Sequence, residues 1–325
     1  MAQLLSILIP SYNRKKFLSR NIELLSSFII NNDLKETVSL IISNNCSTDG
    51  TKEMLSDFQK LHDNIAASIY HQNTNIGGIK NFLFVLDKAA SEYIMFLGDD
   101  DYIDERFLIE IVNQLKKTTD IHCVLPAFMH IDYEEVLLQS GRDLNVASKI
   151  YEKGFNNCLE NSWRGHQMSG IVLYREGLLD SYLQNKVNNL YPFIYFVARC
   201  CFSGKTWLYT DYPVLVTAAP QKDKGWDYEK DGLVSDIFDN YKKLDVTTIQ
   251  RAKLEIKLLR EQSWRYFKYW NKKVFPFIKA CLSIEFGKNT SFLTKLVFPI
   301  IILSKFIEIL VYKLNVRKKA LARTG

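Results

Sequence analysis

The chain has 325 residues, room for one large domain or two smaller ones, with 47% apolar and 24% charged residues, the balance of a folded globular protein. Its net charge of +6 suits nucleic acid, anionic lipid or a polyphosphate ligand, but no nucleic-acid motif accompanies it, so no nucleic-acid partner is expected. The six cysteines form no C-x-x-C pair and the five histidines no H-x-x-x-H arrangement, which argues against a structural zinc site or a disulfide framework.

Leu4–Ile9 is apolar with little alternation and predicts a strand buried on both faces. No basic segment precedes it, and it is too short for a signal-peptide core, so a cytoplasmic chain is expected. The strand stops in Pro10-Ser11-Tyr12-Asn13-Arg14, where Tyr12 offers a flat face for a base and Asn13 and Arg14 offer donors. Phe17–Ile30 predicts a helix with Leu18, Ile22, Leu25 and Ile29 on one face. Val38–Ser43 is a second strand, ending in Asn44-Asn45-Cys46-Ser47-Thr48-Asp49-Gly50, and Thr51–Leu61 a second helix. Both polar segments also suit ordinary turns and helix caps. Ala67–His71 is a third strand and Gly77–Ala89 a third helix. Between them, Asn75, Gly77 and Gly78 stand where backbone N–H groups can approach an anion, although the P-loop and dinucleotide-binding glycine spacings are absent.

Tyr93–Leu97 is a fourth strand, closed by Gly98-Asp99-Asp100-Asp101. Carboxylates at a strand end suit Mg²⁺ or Mn²⁺, which bind through one or two carboxylates plus substrate phosphates. If the strand alternation persists, Asp99 and Asp101 face one way and Asp100 the other. Alternatively, Asp100 or Asp101 caps a helix starting at Tyr102. Strand–helix alternation over these four units predicts an α/β fold, with a mostly parallel sheet and helices on both faces. Three polar strand ends then share one crevice, because ligands of open α/β sheets sit beyond the carboxyl ends of the strands.

Further on, the pattern predicts a helix over Phe107–Lys117 and strands at Cys123–Met129 and Ile171–Tyr174. A helix over Asn188–Cys201, which Pro192 enters early, and a strand at Val214–Ala218 follow. A polar loop runs from Pro220 to Gly232, where Lys222, Lys224 and Trp226 are placed to close over a ligand. The expected division is a first domain over 1–230 and a helical region over 231–325. Within the latter, Val297–Leu314 is apolar but carries Lys305, Glu308 and Lys313, and its longest uncharged stretch is shorter than the about 20 residues a bilayer span needs. Ser304, Lys305, Glu308, Tyr312 and Asn315 form a narrow polar stripe, and Arg317, Lys318, Lys319 and Arg323 follow. Such a helix suits the surface of the cytoplasmic membrane, or packing on protein, including a homo-oligomer contact.

Taken together, the strand-end series resembles the family 2 glycosyltransferases of GT-A fold, closely over about residues 4–105 and fading towards about 230. Pro10, Tyr12 and Asn13 match that family's P-x-Y-N segment. Asn45, Ser47, Asp49 and Gly50 match its D-[DN]-x-S-x-D-[GT] segment, and Asn75, Gly77 and Asn81 its N-x-G…N element. Asp100 and Asp101 match its D-x-D-D element. The chain looks most like members that build bacterial surface polysaccharides such as O-antigen and capsule, including abequosyltransferase-like enzymes. The resemblance implies a nucleotide-diphospho-sugar donor bound by Pro10, Tyr12, Asn13, Arg14, Asn44, Asn45, Asp49, Asn75, Gly77, Asn81 and Asp99. It implies Mn²⁺ or Mg²⁺ on Asp100 and Asp101, a saccharide acceptor, lipid-linked, at the inner membrane face, and an inverting transfer.

Three departures stand out. Asn44 replaces the aspartate that usually contacts the base, and Gly98 replaces the first aspartate of D-x-D, although Asp99-Asp100-Asp101 restores the pattern one residue later. Asn188-Asn189-Leu190-Tyr191-Pro192-Phe193 lacks the carboxylate that serves inverting members as general base. Asp132, Asp180, Asp223, Asp227 and His166 are the alternatives for that role. A nucleotidyltransferase, or a sugar-nucleotide-binding scaffold without turnover, is also compatible with this sequence.

Overall fold

The structure is a computed structural model that describes residues 3–118, 120–218, 233–267, 270 and 274–321, the side chains of 233–235 and 312–321 excepted. The chain forms two compact units, Met1–Gly225 and Trp226–Gly325. Lys222, Asp223, Lys224, Trp226, Asp227 and Arg323 lie outside what is described, as do the side chains of Arg317, Lys318 and Lys319.

The first unit opens with the expected alternation: β1 (Leu5–Ser11), α1 (Lys15–Asn31), β2 (Val38–Asn44), α2 (Thr51–Leu61), β3 (Ala67–His71), α3 (Gly78–Lys88) and β4 (Tyr93–Phe96). β1 lies between β2 and β4 and pairs parallel with both, and β3 adds parallel to β2. The buried runs explain this placement. Leu5, Ile7 and Ile9 of β1 and Val38, Leu40 and Ile42 of β2 pack against Leu18, Ile22, Leu25 and Ile29 of α1. Each such side chain contributes about 1.5–3 kcal/mol when fully buried. Because β2 and β3 extend one way from β1 and β4 the other, the topological switch lies between the carboxyl ends of β1 and β4.

Next come α4 (Glu105–Lys117), β5 (Ile121–Ile131), β6 (Leu137–Arg142), β7 (Lys149–Tyr151), α5 (Phe155–Asn161) and a 3₁₀ turn at Ser162–His166. The unit continues with β8 (Val172–Tyr174), α6 (Leu178–Gln184), α7 (Pro192–Ser203) and β9 (Lys205–Thr217). The sheet runs β3-β2-β1-β4-β8-β5-β9-β7, with β6 on β5, so antiparallel strands extend the parallel half. Several elements differ from expectation. β6 and β7 are exposed strands without an apolar run, and α5 and α6 are short. β9 begins at Lys205, well before Val214, because its first half mixes polar and aromatic residues. α7 starts at Pro192, whose missing N–H is harmless in a first turn. α4 is capped by Asp104, which accepts from Arg106 N at 2.8 Å, so neither Asp100 nor Asp101 is its cap.

The second unit contains α8 (Leu233–Lys242), α9 (Thr248–Glu261), α10 (Trp264–Phe267), α11 (Val274–Glu285) and α12 (Phe292–Leu321). Thr247 and Gln250 form a reciprocal capping box at the start of α9. Fully buried Glu255 pairs with Arg251 and accepts from Ser291 N, pinning the connection between α11 and α12. Phe298 and Ile301 of α12 are buried, while Leu296, Ile300, Leu303, Ile307 and Leu310 remain exposed. Among the described residues, no helix is long and apolar enough to cross a membrane.

Candidate active site

The loops after β1, β2 and β3 are laced together by short polar side chains. Asn13 and Cys46 adopt left-handed backbone, φ 53° and 61°, so the loops after β1 and β2 each turn on one such residue. Asn13 N donates to Ser47 Oγ at 2.9 Å, and Thr48 N donates to Asn13 Oδ1 at 2.8 Å. Asp49 accepts from Lys15 N at 2.9 Å and from Thr51 at the start of α2. Against slight burial, those hydrogen bonds hold the Asp49 carboxyl below its usual range.

Asn45 donates to Asn75 Oδ1 at 2.9 Å and accepts from Ile76 N at 2.9 Å, and Gly77 N also donates to Asn75 Oδ1. Gly77 itself takes φ 86° at the entrance of α3, a conformation that favours glycine. Asn81 exchanges hydrogen bonds with Ser43, binding α3 to the end of β2. Of the residues expected to touch a donor, Asn13, Asn45, Asp49, Asn75, Gly77 and Asn81 thus shape the loops. Asn44 is buried: its Oδ1 accepts from Ser47 N at 3.0 Å, and its Nδ2 faces His71 Nδ1 at 3.3 Å. Burial, with Lys52 nearby, lowers the His71 pKa. Tyr12, by contrast, is 44% exposed. Pro10 pairs with Ser43 inside the sheet.

Beyond β4 the chain makes a tight turn from Gly98 to Tyr102, held from three sides. Asn21 of α1 donates to Gly98 O at 3.0 Å and to Asp101 O at 2.9 Å. Ser169 accepts from Gly98 N at 2.9 Å and donates to the Asp101 carboxylate, which Gln167 also approaches at 3.4 Å. From β9, Thr217 N donates to Asp101 Oδ1 at 2.7 Å, the Thr217 hydroxyl donates to Asp100 O, and Leu215 pairs with Tyr102. A side chain at position 98 would place its Cβ 2.7 Å from Asp101 Oδ2 and 3.2 Å from Ser169 Oγ, which explains glycine where an aspartate was expected.

The three aspartates therefore do not alternate as they would on a strand. Asp101 is 5% exposed with its carboxylate engaged in the turn, whereas Asp99 and Asp100 are only partly buried. Arg14 stands 4.0 Å from Asp100 and joins the ends of β1 and β4 across the switch point. Burial, and then the charge of Asp100, push Asp99 and Asp101 up to about 7; burial also raises Asp100, against the pull of Arg14. Crowded carboxylates that resist ionisation favour a cation at their rim. Among the described residues, no group of three or more His, Cys, Asp or Glu side chains forms a protein-only cation cage. The donor set, Asp100 with Asp99 beside it, instead fits a divalent ion that completes its shell with substrate phosphates.

The remaining candidates are placed elsewhere or otherwise occupied. Asp132 Oδ1 accepts from Glu134 N at 3.0 Å and Val136 N at 2.8 Å, closing the β5–β6 hairpin. His166 stacks on Trp163 with its Nδ1 3.4 Å from Arg142, beside the buried Arg142–Asp143–Arg164 ion cluster. Asp180, in the first turn of α6, borders a hollow with Leu86 and Asp87 at the carboxyl end of α3, which leads into the amino end of β4, whereas Asp100 follows its carboxyl end. The first turn of α7 contains no acid. Asp223 and Asp227 lie outside the described residues. The sequence reading missed Asn21, Ser169 and Thr217, which hold the turn. Only Asn21 gave a local signal, as a polar residue on the apolar stripe of α1.

Residues 6–183, more than half of the chain, match the model of the glycosyl transferase family 2. Over 182 residues the chain is 31% identical to the abequosyltransferase RfbV of Salmonella typhimurium, covering 54% of this chain and 52% of that protein. Over 153 residues it is 34% identical to the GalNAc(5)-diNAcBac-PP-undecaprenol beta-1,3-glucosyltransferase of Campylobacter jejuni, covering 46% of this chain and 47% of the relative. The chain therefore spans about half the length of these relatives. Among solved structures, S. aureus TarS 1–349 in complex with UDP-GlcNAc superposes with a TM-score of 0.63 at 15% identity, over 87% of this chain and 80% of that one. The mannosyltransferase PcManGT of Pyrobaculum calidifontis, in complex with GDP-Man and Mn²⁺, superposes with a TM-score of 0.53 at 9% identity, over 87% and 74%.

Proposed function

Because the chain belongs to glycosyltransferase family 2 and has the GT-A fold, we propose that it transfers a sugar from a nucleotide-diphospho-sugar to a saccharide acceptor in bacterial surface-polysaccharide synthesis. The observation that carries this reading is the Gly98–Tyr102 turn, which leaves the Asp100 carboxylate partly exposed beside Arg14 at the switch point. Tyr12 stacks on the base, and buried Asn44 holds the loop beside it through Ser47 N. The loop that Asn75 and Gly77 shape borders the donor. A divalent cation, Mn²⁺ or Mg²⁺, when bound at Asp100 with Asp99, supplies Lewis-acid stabilisation of charge on the leaving diphosphate. Asp101 keeps the turn that presents them. Arg14, held near Asp100 by its own charge, adds a fixed positive group at the diphosphate. The acceptor hydroxyl attacks the anomeric carbon from the face opposite the leaving group and inverts it.

The acceptor in this reading is lipid-linked, as is the undecaprenol-PP-linked saccharide for which the Campylobacter relative is named. The exposed apolar residues of α12 support peripheral attachment to the cytoplasmic face of the membrane. Because the first turn of α7 contains no acid, a subunit that binds sugar nucleotide without turnover is the second reading. Release of nucleoside diphosphate from a nucleotide sugar supports the transferase; binding without release supports the second.

A further inference from the structure

The first unit holds a cavity of about 300 Å³ between α1 and the tip of the β5–β6 hairpin. Lys16, Phe17 and Arg20 of α1 form one wall, Tyr102 another, and Tyr133 and Glu135 of the hairpin the third. The rings of Phe17 and Tyr133 lie 5.5 Å apart, and the Arg20 guanidinium lies 5.6 Å from the centre of the Tyr102 ring. Arg20 also pairs with Glu135 at 2.5 Å. Only Tyr102 is shared with the site described above, through its backbone, which ends the metal turn and pairs with Leu215. The Tyr102 hydroxyl is buried without a hydrogen-bond partner. An unmet buried hydroxyl is costly, so a hydrogen-bonding group brought to it is favoured. The hydroxyl lies beneath Arg20, whose side chain is 56% exposed and paired with Glu135, a surface pair weak enough for a ligand to displace. Tyr133 of the cavity also hydrogen-bonds Arg14, which stands 4.0 Å from Asp100 in the metal turn.

We infer that this cavity binds a sugar ring of the acceptor. The inference rests on the transferase reading and adds the place and chemistry of acceptor recognition. Phe17 and Tyr133, both partly exposed, present apolar ring surface of the kind that packs on the C–H face of a pyranose. Arg20, Glu135, Lys16 and the Tyr102 hydroxyl present donors and acceptors to its hydroxyl groups. The mixture of cations and Glu135 suits a neutral polyol better than a phosphate, which would meet Glu135 with like charge. At this volume the cavity is at the small end of ligand sites and holds a ring, not a nucleotide. The hairpin tip is preorganised to hold such a ring. Glu135 sits at φ 63°, in a turn that Asp132 closes by accepting from Glu134 N and Val136 N.

The test uses the full chain and a panel of free methyl glycosides of hexoses, 6-deoxyhexoses and N-acetylhexosamines, read by saturation-transfer NMR. UDP, CDP, GDP and dTDP binding with Mn²⁺ is measured on the same samples. Tyr102→Phe removes only the unpartnered hydroxyl, so its Tm stays level or rises. At least one glycoside binds the wild-type chain, and Tyr102→Phe and Arg20→Ala each weaken it about tenfold, the effect of one lost hydrogen bond. Nucleotide binding is the same in all three proteins. If no glycoside in the panel binds, or if both variants bind it as wild type does, the inference is overturned. If the wild-type chain binds no nucleotide, the donor reading fails, a separate result on the same samples.

Discussion

The backbone N–H of Thr217 donates to Asp101 Oδ1 at 2.7 Å. This bond joins the turn after β4 to the last residue of β9, 116 positions later, and gives Asp101 a different role from its neighbours. Asp101 braces the turn, and Asp100 is left facing the crevice. Asp101→Ala strands the Thr217 N–H and one bond of Ser169, so it should lower stability by about 1–3 kcal/mol. Asp100→Ala, at the polar rim, should stay within about 0.5 kcal/mol of wild type while abolishing turnover. Urea melts and a nucleoside diphosphate release assay on both variants check this; equal stability for the two would remove the bracing role.

Gly98 gives a second check on the same turn. A Cβ there would stand 2.7 Å from Asp101 Oδ2, a carboxylate too firmly held to move aside. Gly98→Ala is expected to cost about 1–3 kcal/mol, the range for overpacking, and to reduce activity with it. Gly98→Asp, which writes the usual D-x-D in place, should do no better. A thermal melt in which Gly98→Ala matches wild type would show that the turn is looser than described.

How much of this was legible in the sequence follows from where each constraint originates. β1, β2 and β4 were readable because Leu5–Ile9, Val38–Ser43 and Tyr93–Phe96 are buried runs whose pattern is local. β6, β7 and the first half of β9 were not, because residues such as Leu137, Gln139 and Ile150 pair on an exposed sheet and carry no apolar run. The crevice was readable from the polar ends of those strands. The division of labour inside it was not: Asp101 is distinguished from Asp100 by partners such as Ser169 and Thr217, 68 and 116 residues away. Likewise, that Asn45, Asp49, Asn75 and Asn81 brace loops depends on partners in neighbouring strands.

Tyr12 is the exposed aromatic residue at the end of β1, where the base is proposed to stack. Tyr12→Ala should weaken nucleotide binding by about 1–3 kcal/mol, the measured range for base–aromatic stacking in nucleic-acid sites. The melting temperature of the free chain should hardly change, because the ring is exposed. Calorimetric titration with the preferred nucleoside diphosphate decides it, and unchanged affinity would remove Tyr12 from the base site.

Membrane attachment is tested without deleting α12, since Phe298 and Ile301 are buried and truncation would damage the second unit. Ile300→Gln, Leu303→Gln and Ile307→Gln together remove exposed apolar surface only. The wild-type chain should float with anionic liposomes, less so at high salt, and the triple variant should remain in solution. If the variant instead converts a dimer to a monomer and the wild-type chain never floats, the exposed face is a contact between copies.

The most direct measurement is a thermal-shift panel of UDP-, GDP-, CDP- and dTDP-sugars on wild-type and Asp100→Ala chains, each with Mn²⁺ and with EDTA. A ligand that binds only the native state raises its apparent stability by about 2.7 kcal/mol at one hundred times its Kd. At least one nucleotide sugar should raise the Tm of the wild-type chain with Mn²⁺, EDTA should abolish the shift, and Asp100→Ala should not show it. A chain that responds to no nucleotide sugar, or whose response survives both EDTA and Asp100→Ala, would contradict metal-dependent donor binding at Asp100.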